Sequence, residues 1–323
     1  MLVIYDTQPS GLTRREGMQP LSPATAWLDL INPSAEEEKF VEAALSIDIP
    51  TREELQEIEA SSRLYQEDGA HFMTATLLYQ VDQPRPTTTH VTFILAGSRL
   101  ITIRYAEPYS FQMFAARAMR NQLDCGNSGS ILIGMLESIV DRLADLIERG
   151  QVEIDQLSTK IFSTEGSAAG RGKRYDEALR SIGRQGDLTT RARESLLSLN
   201  RLLTYLSNVA DMRAEDKHIR VRIKTASRDV SSLADHLNFL NGQVTLLLEA
   251  TLGMINIEQN AIIKIFSVVA VIFMPPTLIA SIYGMNFHFM PELDWAYGYL
   301  WALALMVVSA IIPVLYFRHR GWL

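Results

Sequence analysis

The side chains best suited to chemistry form one polar thread near the C-terminus. Glu249, Gly253, Asn256, Asn260, Ile263, Ser267, Ala270, Met274, Thr277, Ser281 and Gly284 follow one another at intervals of three or four residues, which places them on one face of a helix. That face is small or polar, while Ile262, Ile265, Val269, Ile272 and Phe273 point elsewhere. Small residues alone would serve close helix packing in a membrane. Amides and hydroxyls continued to the far end fit a water-lined path better, since lipid offers them no hydrogen-bond partner. Just beyond the thread, the stretch 286–298 carries Glu292 and Asp294 and no Lys or Arg. Catalysis finds little support elsewhere. Histidines 71, 90, 218, 236, 288 and 319 form no ligand-spaced cluster, and no nucleophile–base pair stands out. Cys125 is the only cysteine, which excludes an intrachain disulfide and a cysteine-rich metal site. The segment Gly166–Lys173 (GSAAGRGK) has Ser167 and Arg174 where a phosphate-binding loop needs Gly and Ser/Thr, and reads as a plain loop.

The elements that must carry this thread are legible from periodicity. Ile219, Ile223, Ala226, Val230, Leu233, Leu237, Leu240, Val244 and Leu247 keep a 3–4 repeat, and no proline interrupts the chain until Pro275. One helix from about 215 to 282 would be roughly 100 Å long at 1.5 Å per residue. Ile265–Met285 is uncharged and long enough to cross about 30 Å of hydrocarbon, and Tyr299–Phe317 is a second, shorter span. Lys264 precedes the first span, and Arg318 and Arg320 follow the second. Basic residues mark the cytoplasmic side, so both termini are expected there and the acidic loop outside. Trp295, Tyr297, Tyr299 and Trp301 fit an aromatic belt at the outer face.

Upstream, the chain reads as a mixed α/β unit and then a helical region. Ala26–Leu30, His71–Tyr79, His90–Leu95 and Leu100–Arg104 read as strands, with a tight turn at Gly97-Ser98. Ser34-Ala35-Glu36-Glu37 has a capping-box pattern, and a second helix is expected to start at Thr51-Arg52-Glu53-Glu54. The apolar seam of Leu132, Leu136, Ile139, Leu143 and Leu146 resumes at Ile154, Leu157 and Ile161 after Gly150, which suggests two helices packed as a hairpin. The expected divisions are 1–125 for the α/β domain, 126–213 for the helical hairpin region and 214–285 for the stalk helix, whose membrane part begins near 263. The loop 286–298, the second span 299–317 and a basic tail 318–323 complete the chain.

Composition conceals this split. The 323 residues are 47% hydrophobic, and a mean hydropathy of +0.05 looks soluble. Residues 261–323 contain only Lys264, Arg318, Arg320, Glu292 and Asp294 among charged types, which leaves 27 basic and 35 acidic residues upstream. That acidic balance argues against a nucleic-acid grip. The N-terminus has Asp6 where a signal peptide needs its apolar core, so the bulk of the chain is expected to stay in the cytoplasm.

Tyr283-Gly284-Met285-Asn286 followed by Met290-Pro291-Glu292-Leu293 resembles the Gly-Met-Asn signature and outer loop of the CorA family of magnesium, cobalt and nickel transporters. The likeness extends over Gly253–Phe273, Met274-Pro275-Pro276-Thr277 and Gly321-Trp322-Leu323, and more loosely over Glu54–Arg63. It implies a funnel-shaped homopentamer in a bacterial inner membrane. An αβα cytoplasmic domain leads into a very long stalk helix and two C-terminal transmembrane helices, the first of which lines the pore. It further implies that Asn286 forms a ring binding the hydrated ion, with Gly284 and Met285 shaping the loop that carries it. Asn260 and Thr277 match polar rings deeper in the pore, and Met274 an apolar constriction. Mg²⁺ is the implied cargo and also the implied regulator; Co²⁺ and Ni²⁺ are implied as further cargo.

The chemistry of the residues agrees. Mg²⁺ sheds its octahedral water shell reluctantly. Amide oxygens can accept hydrogen bonds from those waters and still release the ion, as conduction requires. Glu292 and Asp294 would concentrate cations at the mouth through their field. With no nucleotide-binding motif visible, the membrane potential is the expected driving force; a divalent ion gains about 4.6 kcal/mol per 100 mV. Departures from the family pattern are specific. His288 stands where Glu is common, and imidazole suits softer cations. Gating in the family is attributed to cytoplasmic Mg²⁺ bridging acidic residues of neighbouring subunits. Thr225 occupies one such position here, Glu249 another, and Asp229 and Asp235 lie near. A zinc or other transition-metal transporter of the same superfamily is the alternative cargo reading, although the zinc-selective relatives tend to carry Val at the position of Met285. A non-conducting, membrane-tethered metal sensor is the alternative of another class.

Overall fold

The structure, a computed structural model, describes all residues except 10, 57–62, 82–85, 164–167, 287–289, 291–294 and 323, and only the backbone of 168–172. The chain divides into two compact units, Met1–Leu248 and Glu249–Leu323.

The first unit is built on a seven-stranded sheet. Its strands are β1 (Leu2–Gln8), β2 (Gly11–Glu16), β3 (Thr25–Ile31), β4 (Leu64–Glu67), β5 (Ala70–Tyr79), β6 (Thr87–Ala96) and β7 (Arg99–Arg104), in the order β2-β1-β3-β7-β6-β5-β4. Among the described residues, only the β3–β7 pairing is parallel. The expected hairpin is present, with Ala96 opposite Arg99 across Gly97-Ser98.

Side chains alternate across the strands, so each strand feeds two cores. Leu2, Ile4, Leu28, Leu30, Ile101 and Ile103 pack on one face with Val41 of α1 (Ala35–Leu45). Val3, Tyr5, Trp27 and Leu100 pack on the other, with Phe111 and Phe114 of α2 (Tyr109–Met119) and Ile131 and Met135 of α3 (Ser128–Phe162). Helices on both faces explain why these strands read as near-continuous apolar runs, and give the αβα arrangement.

Helix α1 starts with the expected capping box: Ser34 Oγ accepts from Glu37 N–H at 3.3 Å, and Glu37 accepts from Ser34 N–H at 3.0 Å. The start at Thr51 has similar bonds between Thr51 and Glu54. The described residues there form only the short 3-10 turn Glu54–Gln56, and 57–62 lie outside the described residues.

The helical region departs from the expected break at Gly150. Helix α3 runs through it without interruption. Gly150 is buried, and a Cβ there would lie 3.5 Å from Gln185 Oε1 and from Leu188 Cδ2. The apolar seam buried against α4 on both sides of Gly150 carries the helix past the roughly 1 kcal/mol cost of glycine. The partner of α3 is α4 (Ala168–Met212), which begins inside the segment expected to be a loop.

Helix α5 spans Lys217–Tyr283. Its repeat of Ile219, Ile223, Ala226, Val230, Leu237, Leu240, Val244 and Leu247 is buried in the core that contains α3 and α4. Arg222 of α5 clasps Glu137 of α3 through two hydrogen bonds, of 2.9 and 2.6 Å.

Within the α/β core lies one charged pair that no local sequence pattern marks. Asp29 and Arg104 are buried and bonded at 2.8 Å. Thr102 Oγ1 donates to Asp29 at 2.7 Å and accepts from the Trp27 indole N–H at 2.9 Å. The pair crosses the parallel β3–β7 junction, and its hydrogen-bond network offsets the cost of burying both charges.

In the second unit, the rest of α5 and α6 (Gly298–His319) are both long and apolar enough to cross a membrane. Few of their side chains are buried, which leaves an apolar surface far larger than a soluble monomer tolerates.

Candidate ion pathway on helix α5

Two sides of α5 differ in what they meet inside the second unit. Val268 is buried, and Lys264, Ile272, Pro275, Pro276, Ile279 and Tyr283 are half-buried. These positions share one helix face. Asn260, Ile263, Ser267, Ala270, Met274, Thr277, Ser281 and Gly284 are all exposed; 100° per residue turns Ile263, Ala270, Met274, Thr277, Ser281 and Gly284 away from the packing face and sets Asn260 and Ser267 at its edge. The chain therefore spends the polar thread on none of its own packing. Exposure alone does not mark a path, because Ile265, Phe266 and Phe273 are exposed too.

The hydroxyls on this face are oriented. Thr277 Oγ1 donates to the Phe273 carbonyl at 2.7 Å, and Ser281 Oγ donates to the Thr277 carbonyl at 2.8 Å. Each has used its only hydrogen, so its oxygen can offer only lone pairs outward. Lone pairs suit the water hydrogens around a hydrated cation. Beside them, Pro275 and Pro276 supply no N–H, so the carbonyls of Val271 and Ile272 lack their usual helical donors.

The helix ends where the three candidate filter residues begin. Gly284 N–H still reaches the Ala280 carbonyl at 2.9 Å, and Met285 N–H bonds the Ile282 carbonyl at 3.3 Å. A Cβ on Gly284 would stand 3.1 Å from the Ala280 oxygen, so a side chain there would press on the last turn. Met285 and Asn286 follow, both exposed. His288, Glu292 and Asp294 lie outside the described residues.

At the other end of the span, Lys264 Nζ donates to the Gly321 carbonyl at 3.4 Å and sits 5.2 Å from the Trp322 ring centre. The basic residues flanking the two spans thus gather at one end of the α5–α6 pair. The sequence showed their number and sign but not this contact, which depends on how the chain turns after α6.

The remaining candidates are dispersed. Glu249 is exposed on α5. Asp229 is exposed on α5; burial first, then the negative charges of Glu137, Asp145 and Asp229, push the Asp141 carboxyl on α3 up. Among the described residues, no group of three His, Cys, Asp or Glu side chains could hold a metal ion.

Comparison with known proteins agrees with this layout. The model of the CorA-like Mg²⁺ transporter protein family matches residues 23–319. The magnesium transport protein CorA of Escherichia coli K12 is 36% identical over 325 residues, covering 100% of both chains. That of Yersinia pseudotuberculosis is 38% identical over 301 residues, covering 93% of this chain and 92% of its own. Among solved structures, the CorA magnesium transporter of Methanocaldococcus jannaschii superposes with a TM-score of 0.74 at 20% identity, covering 100% of this chain and 99% of its own. The cytoplasmic domain of ZntB from Vibrio parahaemolyticus gives 0.59 at 9% identity, over 79% of this chain and 97% of its own. The two structural likenesses establish the fold; the family match and the full-length sequence relatives go further. An α/β domain, a helix of 67 residues and a C-terminal apolar helix are the expected architecture, and the chain belongs to the CorA-like Mg²⁺ transporter family.

Proposed function

We propose that this protein carries Mg²⁺ across a membrane as a channel-like symmetric homopentamer, with the polar face of α5 lining the path. The observation that carries the reading is the orientation of that face. It bears amides and acceptor-only hydroxyls, most of it turns away from the side that α5 uses for packing within the second unit, and it leads to Asn286. A single α5–α6 pair cannot enclose a path, and a ring of copies is the closed solution for such a surface. Asn286 from each copy holds the ion through its own waters, and Gly284 and Met285 shape the turn that presents it. Below it, Ser281, Thr277, Ala270, Ser267 and Asn260 continue the wet surface, with Met274 and Ile263 as apolar narrowings.

Both termini lie on the cytoplasmic side of a bacterial inner membrane, where Lys264, Arg318 and Arg320 collect, and Glu292 and Asp294 draw cations to the opposite mouth. The membrane potential drives influx, and Co²⁺ and Ni²⁺ pass beside Mg²⁺. Cytoplasmic Mg²⁺ closes the pathway, and Glu249 is a candidate for contact with it. The test is Mg²⁺ flux into vesicles containing the purified protein. Asn286→Ala is expected to abolish uptake while assembly persists; normal uptake by that variant would remove Asn286 as filter. Competitive Mg²⁺ and Zn²⁺ flux separates magnesium from zinc selectivity, and zero flux of either from an assembled sample would favour the sensor reading.

A further inference from the structure

The basic end of the α5–α6 pair is built rather than frayed. Helix α6 closes with Gly321 at φ +67. Gly321 N–H bonds the Arg318 carbonyl at 3.2 Å, and Trp322 N–H bonds the Phe317 carbonyl at 2.9 Å. These are the two bonds of a Schellman motif, completed by its apolar contact: the Trp322 ring stacks on Phe317 at 5.5 Å with 19° between planes. A residue other than glycine would strain this left-handed turn. The folded-back Trp322 carries the Lys264 ammonium over its ring at 5.2 Å, and the Gly321 carbonyl takes one of that ammonium's hydrogens at 3.4 Å. Arg318 and Arg320 are exposed on the same last turn of α6, with the Arg320 guanidinium 5.7 Å from the Tyr316 ring centre.

Three cations lie at this end of the α5–α6 pair, and none forms a salt bridge with a described residue. The carboxyl end of α6 contributes roughly half a negative charge, far short of three positive ones. The level of the corner is also fixed. Ile265–Tyr283 rises about 28 Å at 1.5 Å per residue, close to the thickness of the hydrocarbon core. Lys264 therefore lies at one edge of that core, where Trp and Tyr rings also settle. Phosphate groups of lipids occupy the same depth.

We propose that Lys264, Arg318, Arg320 and the Trp322 ring form a binding site for the phosphodiester of an anionic phospholipid. The ammonium retains two free hydrogens, and each guanidinium can grip two phosphate oxygens at once. Tyr316, Phe317 and Trp322 give the adjoining acyl chain and glycerol an apolar wall. A zwitterionic lipid brings its own cation, which this corner repels, so the net charge of the headgroup decides the preference. The site stands independently of the ion pathway.

The test uses the purified full-length protein in detergent with dioleoylphosphatidylglycerol or dioleoylphosphatidylcholine. Bound lipid is counted by native mass spectrometry, and thermal stability is followed in parallel. Each basic side chain near a charged headgroup contributes about 1 kcal/mol, so Lys264→Gln, Arg318→Gln and Arg320→Gln should each weaken the anionic lipid about fivefold. The triple variant should weaken it on the order of a hundredfold and lose the preference over phosphatidylcholine. Exchanging the cations instead (Lys264→Arg with Arg318→Lys and Arg320→Lys) should preserve the preference, which separates charge from misfolding. Equal binding of the two lipids by the parent protein overturns the proposal, as does an unchanged preference in the triple glutamine variant. Inorganic phosphate at matched concentration should leave the melting temperature where it is. If it stabilises as well as phosphatidylglycerol does, a free anion and not a lipid is the ligand.

Discussion

Replacing Thr277 by valine tests the wet surface at one atom. Valine keeps the β-branched shape and the helical backbone, so packing changes little. The hydroxyl hydrogen is already engaged with the Phe273 carbonyl at 2.7 Å, and that carbonyl is also the i−4 acceptor for the backbone N–H of residue 277. On the proposed path, what the substitution removes is therefore one acceptor per copy, facing the waters of the ion. A net hydrogen bond is worth about 1 kcal/mol, and somewhat more beside a charge. Losing about 1.4 kcal/mol at the barrier slows passage roughly tenfold. Thr277→Ser keeps the acceptor and should restore most of the rate. The assay is dye-reported Mg²⁺ entry into vesicles under an imposed potassium diffusion potential, with equal amounts of assembled protein. If Thr277→Val conducts within twofold of the parent while Asn286→Ala is silent, the hydroxyls serve helix packing and the water-lined reading of this face fails.

Three other outcomes are expected. Asn286→Ala should leave assembly intact by size-exclusion chromatography and stop Mg²⁺ uptake; a conducting variant contradicts the filter assignment. Asp29→Asn strands the buried Arg104 guanidinium and should destabilise the α/β domain by about 3–5 kcal/mol, whereas Asp29→Leu with Arg104→Met should cost far less; melting of the full chain in detergent distinguishes them. His71 and His90 are both held below the ordinary histidine range, first by burial and then by Arg213 and Arg63 respectively. The folded state thus binds these protons less readily than the unfolded chain, so stability is complete above about pH 6.5 and falls as pH drops through and below that value. His90→Gln should flatten the fall in melting temperature between about pH 7 and pH 5, and a steeper fall would contradict the assignment.

The linear order of the chain already held the architecture. Apolar residues at 219, 223, 226 and 230 announced a stalk that is buried in the structure as the repeat requires. Two uncharged stretches announced the spans, and the 3–4 spacing from Asn260 to Gly284 announced one polar face. These features are local and periodic, so each can be read without knowing what lies opposite. Gly150 could not be read that way. Its low helix propensity pointed to a break, and the apolar seam buried against α4 on both sides of it decides otherwise. The same holds for Asp29, whose partner Arg104 comes from a strand 75 residues away, and for Lys264, whose ammonium rests on a tail 57 residues downstream. The sequence by itself determined which residues are apolar, which are polar and at what period they recur. Only the tertiary structure decided which charges meet, which glycine is packed and which face of α5 is left uncovered, because those depend on distances between segments that no local pattern contains.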